Sequence, residues 1–288
     1  MIPRTSLSVP ANSERKVDKA RVSVADEVVL DLEDSIADDL KVQARSTLVA
    51  TLADRSGWAP PRLSVRVNDM RSSTGLRDLM ACAAAASLPA SVVVPKVESP
   101  ADLEYVDRLL DALESELGGP GTIEVQALIE TPAGLVRVAE IAAASPRLVS
   151  LILGYVDLSA ALGRSTHSVR TDDARWLPAQ EAVLWAARSQ GLAALDGPYA
   201  GIGDDDGLRQ STRWARDLGY DGKWVIHPAQ IATVNEIFSP TASEIASAEA
   251  TIAALSGDDG AVAVDGRMVD AATVGGALRL LARADRTR

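Results

Sequence analysis

Short apolar β-type runs alternate with longer helical patterns along most of the chain, and this alternation limits the possible folds more than any other feature. Eight β-type runs occupy residues 6–9, 27–30, 63–67, 91–95, 124–129, 149–153, 193–195 and 222–226. Helical patterns lie between them, for example at 38–53, 101–117, 132–144, 174–190 and 205–218. Eight β-then-α units in about 240 residues predict an α/β protein of the (β/α)8 TIM-barrel type.

A doubly wound open sheet is the alternative arrangement of the same elements. The form of that fold that binds dinucleotides has a glycine-rich phosphate loop after its first strand, and this sequence has none there. We therefore predict that residues 1–239 form the barrel. Residues 240–288 follow Ser239-Pro240 and are extra to the barrel, and we predict a C-terminal helical extension for them.

Composition and charge narrow the class of protein. The 288 residues, 47% of them hydrophobic, suffice for one large α/β domain. A formal net charge of −11 without a basic stripe argues against nucleic-acid binding. The single cysteine, Cys82, excludes a disulfide framework and a thiolate metal cluster. Since no apolar run is long enough for a signal peptide or a membrane span, we expect a cytoplasmic protein with no membrane partner.

Three carboxylates follow one predicted buried strand. Asp31, Glu33 and Asp34 come directly after the apolar run that includes Val28 and Val29. Acids packed together repel one another and are costly to desolvate, so we expect a metal ion or an arginine among them. The alternative is a solvated acidic loop.

Charged side chains also stand at the exits of most other predicted strands. The carboxyl ends of barrel strands line the active site, so this pattern predicts a polar mouth on a packed barrel. The residues are Arg66, Asn68, Lys96, Glu130, Asp157, Asp196 and His227. Three of them have a structural alternative: Arg66 as an ion-pair partner of Glu33 or Asp34, Lys96 as a solvated loop residue, and His227 as a structural hydrogen-bonding group.

Glu130 and Asp157 are most informative as a pair. They follow neighbouring predicted strands, so both carboxylates can reach one ion. A site built from oxygen ligands, in a chain with only two histidines, favours a hard cation such as Mg²⁺. Mg²⁺ commonly keeps several waters, which leaves positions for a chelating substrate.

Beyond these separate features, the chain resembles the HpcH/HpaI aldolase and citrate lyase β-subunit family, especially its stand-alone citrate lyase β-like and malyl-CoA lyase branch. The matching segments cover nearly the whole chain in order. They are RTSLSVPANSERKVDKA, VVLDLEDSI, VRVN, VVVPKVES, IEVQALIETPAGL, LGYVDLSAALG, LGYDGKWVIHPAQI and VDGRMVD.

The resemblance implies a Mg²⁺-dependent (β/α)8 barrel, commonly trimeric, that cleaves or forms a carbon–carbon bond in a CoA thioester. It implies that Glu130 and Asp157 bind the metal. The two residues would bind the substrate through that metal. Arg66 would bind the keto acid. Asp270 would enter a neighbouring subunit's site as acid or base, which makes residues 240–288 a lid in a homo-oligomer, trimer or hexamer. Lys19 would meet the CoA phosphates.

The sequence departs from the family pattern at two places. Ser13 stands where a CoA-contacting arginine is common, and Arg15, two residues on, is the candidate replacement. Tyr155 and Val156 stand where the family often has Ala-Glu. The metal ligand Asp157 is retained, but the pocket beside it changes.

The predicted activity is a retro-Claisen lyase reaction on a malyl-, citramalyl- or citryl-type CoA thioester, or its reverse. Glu33 and Asp34, with Asp31, would hold metal waters and orient Arg66, and Lys96 would contact substrate. Asp270 has a second interpretation as the cap of a terminal helix that starts near Ala271.

Two alternatives remain for the activity. A CoA-independent, metal-dependent pyruvate aldolase would use an early-loop histidine, and the first histidine here is His167. The other is a citrate lyase β subunit that acts only with an acyl-carrier partner. Some relatives of this kind also hydrolyse the thioester.

Overall fold

Eight parallel strands close into a barrel in their sequence order. The computed structural model describes residues 2–116, 123–166, 171–255, 262–264 and 267–284. The strands are β1 (Thr5–Pro10), β2 (Glu27–Asp31), β3 (Arg62–Arg66), β4 (Ser91–Val94), β5 (Glu124–Ile129), β6 (Leu148–Leu153), β7 (Ala193–Asp196) and β8 (Gly222–Val225). β1 pairs with both β2 and β8, which completes the closure. The predicted (β/α)8 barrel is confirmed.

Helices connect the strands. They are α1 (Glu14–Arg21), α2 (Lys41–Ala53), α3 (Ser73–Ala83), α4 (Pro100–Glu116), α5 (Pro132–Val136), α6 (Val138–Ala142), α7 (Tyr155–Ala161), α8 (Leu177–Ser189), α9 (Asp205–Leu218) and α10 (Ile231–Phe238). Short 3-10 turns precede α2, α8 and α10. The helical pattern at 132–144 is divided between α5 and α6 at Arg137, whose φ of −105° and ψ of 13° depart from helical geometry.

The strands are largely buried and rich in apolar residues because the barrel interior covers one face and the helices cover the other. Inward side chains of six strands form one buried layer across the middle of the barrel. They are Val29, Val93, Leu128, Ile152, Leu195 and Trp224. The barrel is therefore a packed core, and its side chains become polar only above and below this layer.

Below the apolar layer lies a belt of buried polar groups. On β2, Glu27 shares the inward face of Val29 because side chains alternate along a strand. Its carboxylate accepts hydrogen bonds from Ser6 Oγ at 2.6 Å, Ser64 Oγ at 2.7 Å and Gln126 Nε2 at 2.8 Å. These bonds compensate the desolvation of a fully buried acid at the bottom of the barrel.

The described chain divides into two compact units, residues 2–235 and residues 236–288, with the division inside α10. The second unit contains α11 (Ala242–Leu255), an antiparallel pair of strands, β9 (Val262–Val264) and β10 (Arg267–Val269), and α12 (Ala271–Ala284). α11 and α12 pack against each other. The sequence predicts a helical extension here, and the structure shows a pair of strands in addition to the helices. None of the described helices is long and apolar enough to cross a membrane.

Candidate active site

A cavity of about 420 Å³ opens at the carboxyl ends of the barrel strands. Its lining combines an apolar floor with ionisable groups. The floor includes Leu128, Ile152 and Trp224, and the ionisable groups are Lys16, Asp31, Asp34, Arg66, Glu130, Tyr155 and Asp157. Five of the residues predicted at strand exits therefore lie together at this cavity. They come from four different strands.

Arg66, at the end of β3, is the cation among the acids that follow β2. Its Nε and Nη2 donate to the two carboxylate oxygens of Asp31 at 2.7 and 2.6 Å, and its Nη1 lies 3.0 Å from Glu33 Oε2. The guanidinium carbon lies 5.8 Å from the centre of the Trp224 ring. The ion-pair interpretation of Arg66 is thus correct, and the same side chain also lines the cavity.

Specific hydrogen bonds hold the acidic loop after β2 in place. Burial favours protonation of Asp31, but the hydrogen bonds and charge of Arg66, together with hydrogen bonds from the backbone N–H groups of Glu33 and Ser35, hold the pKa of that carboxyl below its usual value. Lys41 Nζ donates to the backbone carbonyls of Leu32 and Glu33 and, at 2.6 Å, to Asn68 Oδ1. Asp31 and Glu33 are buried and compensated, so the solvated-loop alternative is wrong for them.

Glu130, which follows β5, is a nearly fully buried carboxyl at the mouth. Burial raises its pKa to about 8, and the negative charges of Asp157 and Glu33 contribute to the shift. Gly154, after β6, leaves the space that this side chain fills, since a Cβ there would lie 2.6 Å from Glu130 Cβ. Glu130 and Asp157 thus face one cavity as two oxygen donors, and burial favours the protonated form of Glu130 as long as no cation is near.

This pair fits a divalent cation. Both groups are oxygen donors, and a cation bound to them would offset the burial and the repulsion from Asp157 that raise the pKa of Glu130. Within the described ranges, no group of three or more His, Cys, Asp or Glu side chains is arranged to hold a metal ion. A site with two carboxylates suits Mg²⁺, which binds through one or two carboxylates and keeps waters or substrate oxygens in the other positions.

Lys96 links the two halves of the site. Its backbone has a φ of 53°, in the left-handed region, and its N–H donates to Glu130 Oε1 at 2.9 Å. Its ammonium donates to Glu33 Oε1 and lies 3.8 Å from Asp34 Oδ1. The predicted substrate contact of Lys96 stays a prediction, while the structure gives this residue a clear position between the acidic loop and Glu130.

Comparison with known proteins decides the family. The family model described as HpcH/HpaI aldolase/citrate lyase matches residues 4–228. The chain belongs to this family. The resemblance found in the sequence is thereby confirmed.

Two relatives from Cereibacter sphaeroides match over nearly the full chain. An L-malyl-CoA/beta-methylmalyl-CoA lyase (strain ATCC 17025) is 34% identical over 94% of this chain and 91% of its own. A (3S)-malyl-CoA thioesterase (strain KD131) is 37% identical over 98% and 94%. Among solved structures, the protein CitE from Mycobacterium tuberculosis, in complex with magnesium, acetoacetate and coenzyme A, has a TM-score of 0.79 and 33% identity over 98% of both chains.

The first βα unit, where the family resemblance implies CoA contacts, contributes a cation that the sequence reasoning missed. Lys16 lines the cavity, while Arg15 and Lys19 are exposed on the same helix α1. Its position in the first turn after Ser13, close to the exit of β1, is the signal that could have identified it. Roles of Arg15 and Lys19 in CoA binding stay predictions.

Asp270 lies in the second unit and caps α12. Its Oδ1 accepts from the backbone N–H of Thr273 at 2.9 Å, and Thr273 Oγ1 accepts from the Asp270 N–H at 2.7 Å. The capping interpretation is therefore correct, and a catalytic role for the same carboxylate stays a prediction. The sequence SGDDG at 256–260, rich in Gly and Asp, predicts a flexible break ahead of Asp270, and this segment lies outside the described residues.

The two histidines give little support for a base. His227 is exposed, and its Nδ1 accepts from the backbone N–H of Ala229 at 3.2 Å, which is the structural role foreseen as its alternative. His167 lies outside the described residues. The strand-exit residue Asp196 faces away from the barrel interior and pairs with buried Lys223.

Proposed function

We propose that this family member is a Mg²⁺-dependent carbon–carbon lyase that cleaves, or forms, a β-hydroxyacyl-CoA of malyl, citramalyl or citryl type by a retro-Claisen reaction. The observation that carries the proposal is the buried Glu130 carboxyl facing the same cavity as Asp157 and Arg66. The identity of at least 33% to the malyl-CoA lyase, the malyl-CoA thioesterase and the magnesium- and coenzyme A-bound CitE supports it.

Glu130 and Asp157 would hold the metal. When bound, Mg²⁺ supplies Lewis-acid stabilisation of negative charge on the substrate oxygens. The Lys96 N–H orients Glu130, and the space left by Gly154 lets the carboxyl reach the cavity. The metal would therefore lie against the exits of β5 and β6.

Arg66 supplies a fixed positive charge for the keto-acid half of the substrate. Its bonds to Asp31 and Glu33 hold the guanidinium in place before substrate arrives, so little reorganisation is needed as charge develops. Glu33 and Asp34 orient this group, and Asp34, which is half exposed, is also placed to hold water at the mouth.

Cleavage breaks the bond between the α- and β-carbons. The β-hydroxyl gives its proton to water at the mouth, its oxygen becomes the carbonyl of the keto acid, and the electron pair of the broken bond passes to the α-carbon of the thioester. That carbon then takes up a proton. We assign this proton to Asp270 of a neighbouring subunit. The protein would therefore act as a homo-oligomer, a trimer or hexamer, and we place it in the cytoplasm.

The CoA moiety would approach over α1. Lys16 at the cavity and exposed Arg15 and Lys19 place three cations near the first strand exit, which suits the phosphates. Ser13 lacks the charge of the arginine common in the family, so we expect weaker CoA binding than in relatives that keep it.

Thioester hydrolysis is the second candidate, favoured by the 37% identity to a (3S)-malyl-CoA thioesterase. Purified protein with Mg²⁺ should be incubated with malyl-, citramalyl- and citryl-CoA while keto acid and free thiol are followed separately. Keto acid without free thiol identifies the lyase, and free thiol without keto acid identifies a thioesterase. Release of neither product from any of the three would contradict the proposal.

A further inference from the structure

The proposed metal ligand Asp157 lies on a helix that has little support of its own. α7 is seven residues long, and its N-cap is Gly154, which has no side chain to bond the first backbone N–H groups. Helices this short are marginal without tertiary contacts. The position of Asp157 in the first turn therefore depends on the buried residues of the helix, which are Tyr155, Leu158 and Ser159. The Ser159 hydroxyl has no hydrogen-bond partner among the described residues, whereas the hydroxyl of Tyr155, the first residue of the helix, has two.

Tyr155 is held by polar contacts at its hydroxyl and by an aromatic contact at its ring. The side chain is buried, and its hydroxyl donates to Asp196 Oδ1 at 2.5 Å and accepts from Gln180 Nε2 at 2.7 Å. The ring meets Trp176 edge to face, with centroids 5.2 Å apart. A hydroxyl has one proton to donate, so these two partners fix its orientation as well as its place.

The acceptor Asp196 is itself fixed by a buried ion pair. Asp196 at the end of β7 and Lys223 on β8 are register partners, and both are fully buried. Their neighbours Leu195 and Trp224 face the barrel interior, so Asp196 and Lys223 face outward, toward the helices. The ammonium of Lys223 donates to Asp196 Oδ2, which leaves Oδ1 for the tyrosine.

Close packing prevents the ring from shifting. A Cβ at Gly197 would lie 2.6 Å from Tyr155 Cδ2 and 2.2 Å from the carbonyl oxygen of Leu153. The ring thus lies directly on the chain that leaves β7. Gln180, on α8, is fixed in turn, because its Nε2 also donates to Thr171 O at 2.8 Å and its Oε1 accepts from Trp214 Nε1 at 3.1 Å.

We infer that Tyr155 is a positioning residue for the metal site: its hydroxyl, anchored by Asp196, Lys223 and Gln180, fixes the start of α7 and with it the carboxylate of Asp157. The inference rests on the proposed role of Asp157 as a metal ligand. Outer contacts of this kind typically change metal affinity 10- to 100-fold when removed.

The test is Mg²⁺ binding to the full-length Tyr155→Phe variant, measured by calorimetry together with activity. We expect Mg²⁺ affinity about tenfold weaker or more, a raised KM for Mg²⁺, and a kcat at saturating Mg²⁺ within about twofold of wild type. Tyr220→Phe is the matched control. Tyr220 is equally buried and its hydroxyl donates to Gln180 O at 2.9 Å, but it lies outside α7.

The control should keep wild-type Mg²⁺ affinity even if it lowers the melting temperature. The inference is overturned if folded Tyr155→Phe binds Mg²⁺ like wild type, or if Tyr220→Phe weakens binding as much. If Tyr155→Phe does not fold, Gln180→Met is measured against the same control, and wild-type affinity there overturns the inference.

Asp157→Asn separates this inference from the proposed function. If Asp157→Asn leaves Mg²⁺ binding unchanged, the ligand assignment itself fails. If Asp157→Asn abolishes binding while Tyr155→Phe binds normally, the assignment stands and only the positioning role of Tyr155 fails.

Discussion

At the scale of single residues, Lys96 supports the site through its backbone and its side chain separately. Its left-handed backbone directs an N–H at Glu130, while its ammonium compensates Glu33. A residue with a Cβ pays about 1–2 kcal/mol in that conformation, and glycine does not. The ammonium contact with Glu33 is therefore available to offset this conformational cost.

Two substitutions at Lys96 separate these contributions. Both Lys96→Gly and Lys96→Ala remove the ammonium, but only glycine relaxes the backbone. We expect Lys96→Gly to have the higher free energy of unfolding, by about 1 kcal/mol, which reverses the usual order of the two residues. Urea denaturation measures the difference. Equal stabilities, or a more stable alanine variant, would show that the left-handed conformation is not required.

The sequence predicts which charged residues reach the mouth but not which of them pair. The convergence of Arg66 with Asp31 and Glu33 follows from strand order, because neighbouring strands end at the same edge. The role of Tyr155 does not follow, since its partners Asp196 and Gln180 come from elements far along the chain. The sequence does not identify Lys16 as a cavity residue. The side of α1 that faces the mouth is set by how the helix packs on the barrel, and this packing cannot be read from the sequence.

At the scale of the elements, the inward face of β2 has three levels. These are the polar Glu27 at the bottom, the apolar Val29 in the middle and the charged Asp31 at the top. The eight predicted strands agree with the observed ones to within one residue at each end, because each is a short apolar run between helical patterns. The polar belt was not predictable, because a lone Glu or Gln at the start of a strand looks like a solvated end.

Gln126 is the centre of that belt and gives a test of it. Its Nε2 donates to Glu27 and to Ser91 Oγ, and its Oε1 accepts from Ser150 Oγ, all at 2.8 Å. Gln126→Ala leaves these buried groups short of partners, so we expect a loss of about 2–4 kcal/mol in the free energy of unfolding. Because the belt lies at the opposite end from the cavity, KM and kcat of the folded variant should stay near wild type. A stable variant with altered kinetics would contradict this separation.

At the scale of the whole molecule, the question is what the second unit contributes. Asp270 caps α12, and Asn caps a helix about as well as Asp. If Asp270 only caps, Asp270→Asn should cost little in stability or rate. If it is the acid, the rate should fall by orders of magnitude with unchanged melting and Mg²⁺ binding. We expect the second result, measured by steady-state kinetics beside a thermal melt.

Action between subunits has its own test. Asp270→Asn and Glu130→Gln subunits, each inactive alone, are mixed under conditions that allow subunit exchange. If the second unit of one chain completes the barrel site of another, some hybrid sites contain neither substitution, and activity should partly return. Continued inactivity despite demonstrated exchange would mean that Asp270 acts within its own chain or has no catalytic role.

The central claim is that Glu130 and Asp157 together hold the Mg²⁺ on which turnover depends, and the most direct measurement is Mg²⁺ binding by calorimetry alongside lyase activity for Glu130→Gln and Asp157→Asn. Both variants keep the size of the side chain and remove one negative charge from a crowded site, so the barrel should stay folded. We predict loss of Mg²⁺ binding and of Mg²⁺-dependent turnover in each, with a circular dichroism spectrum and melting temperature near those of wild type. A folded variant of either kind that binds Mg²⁺ and turns over like wild type would contradict the account.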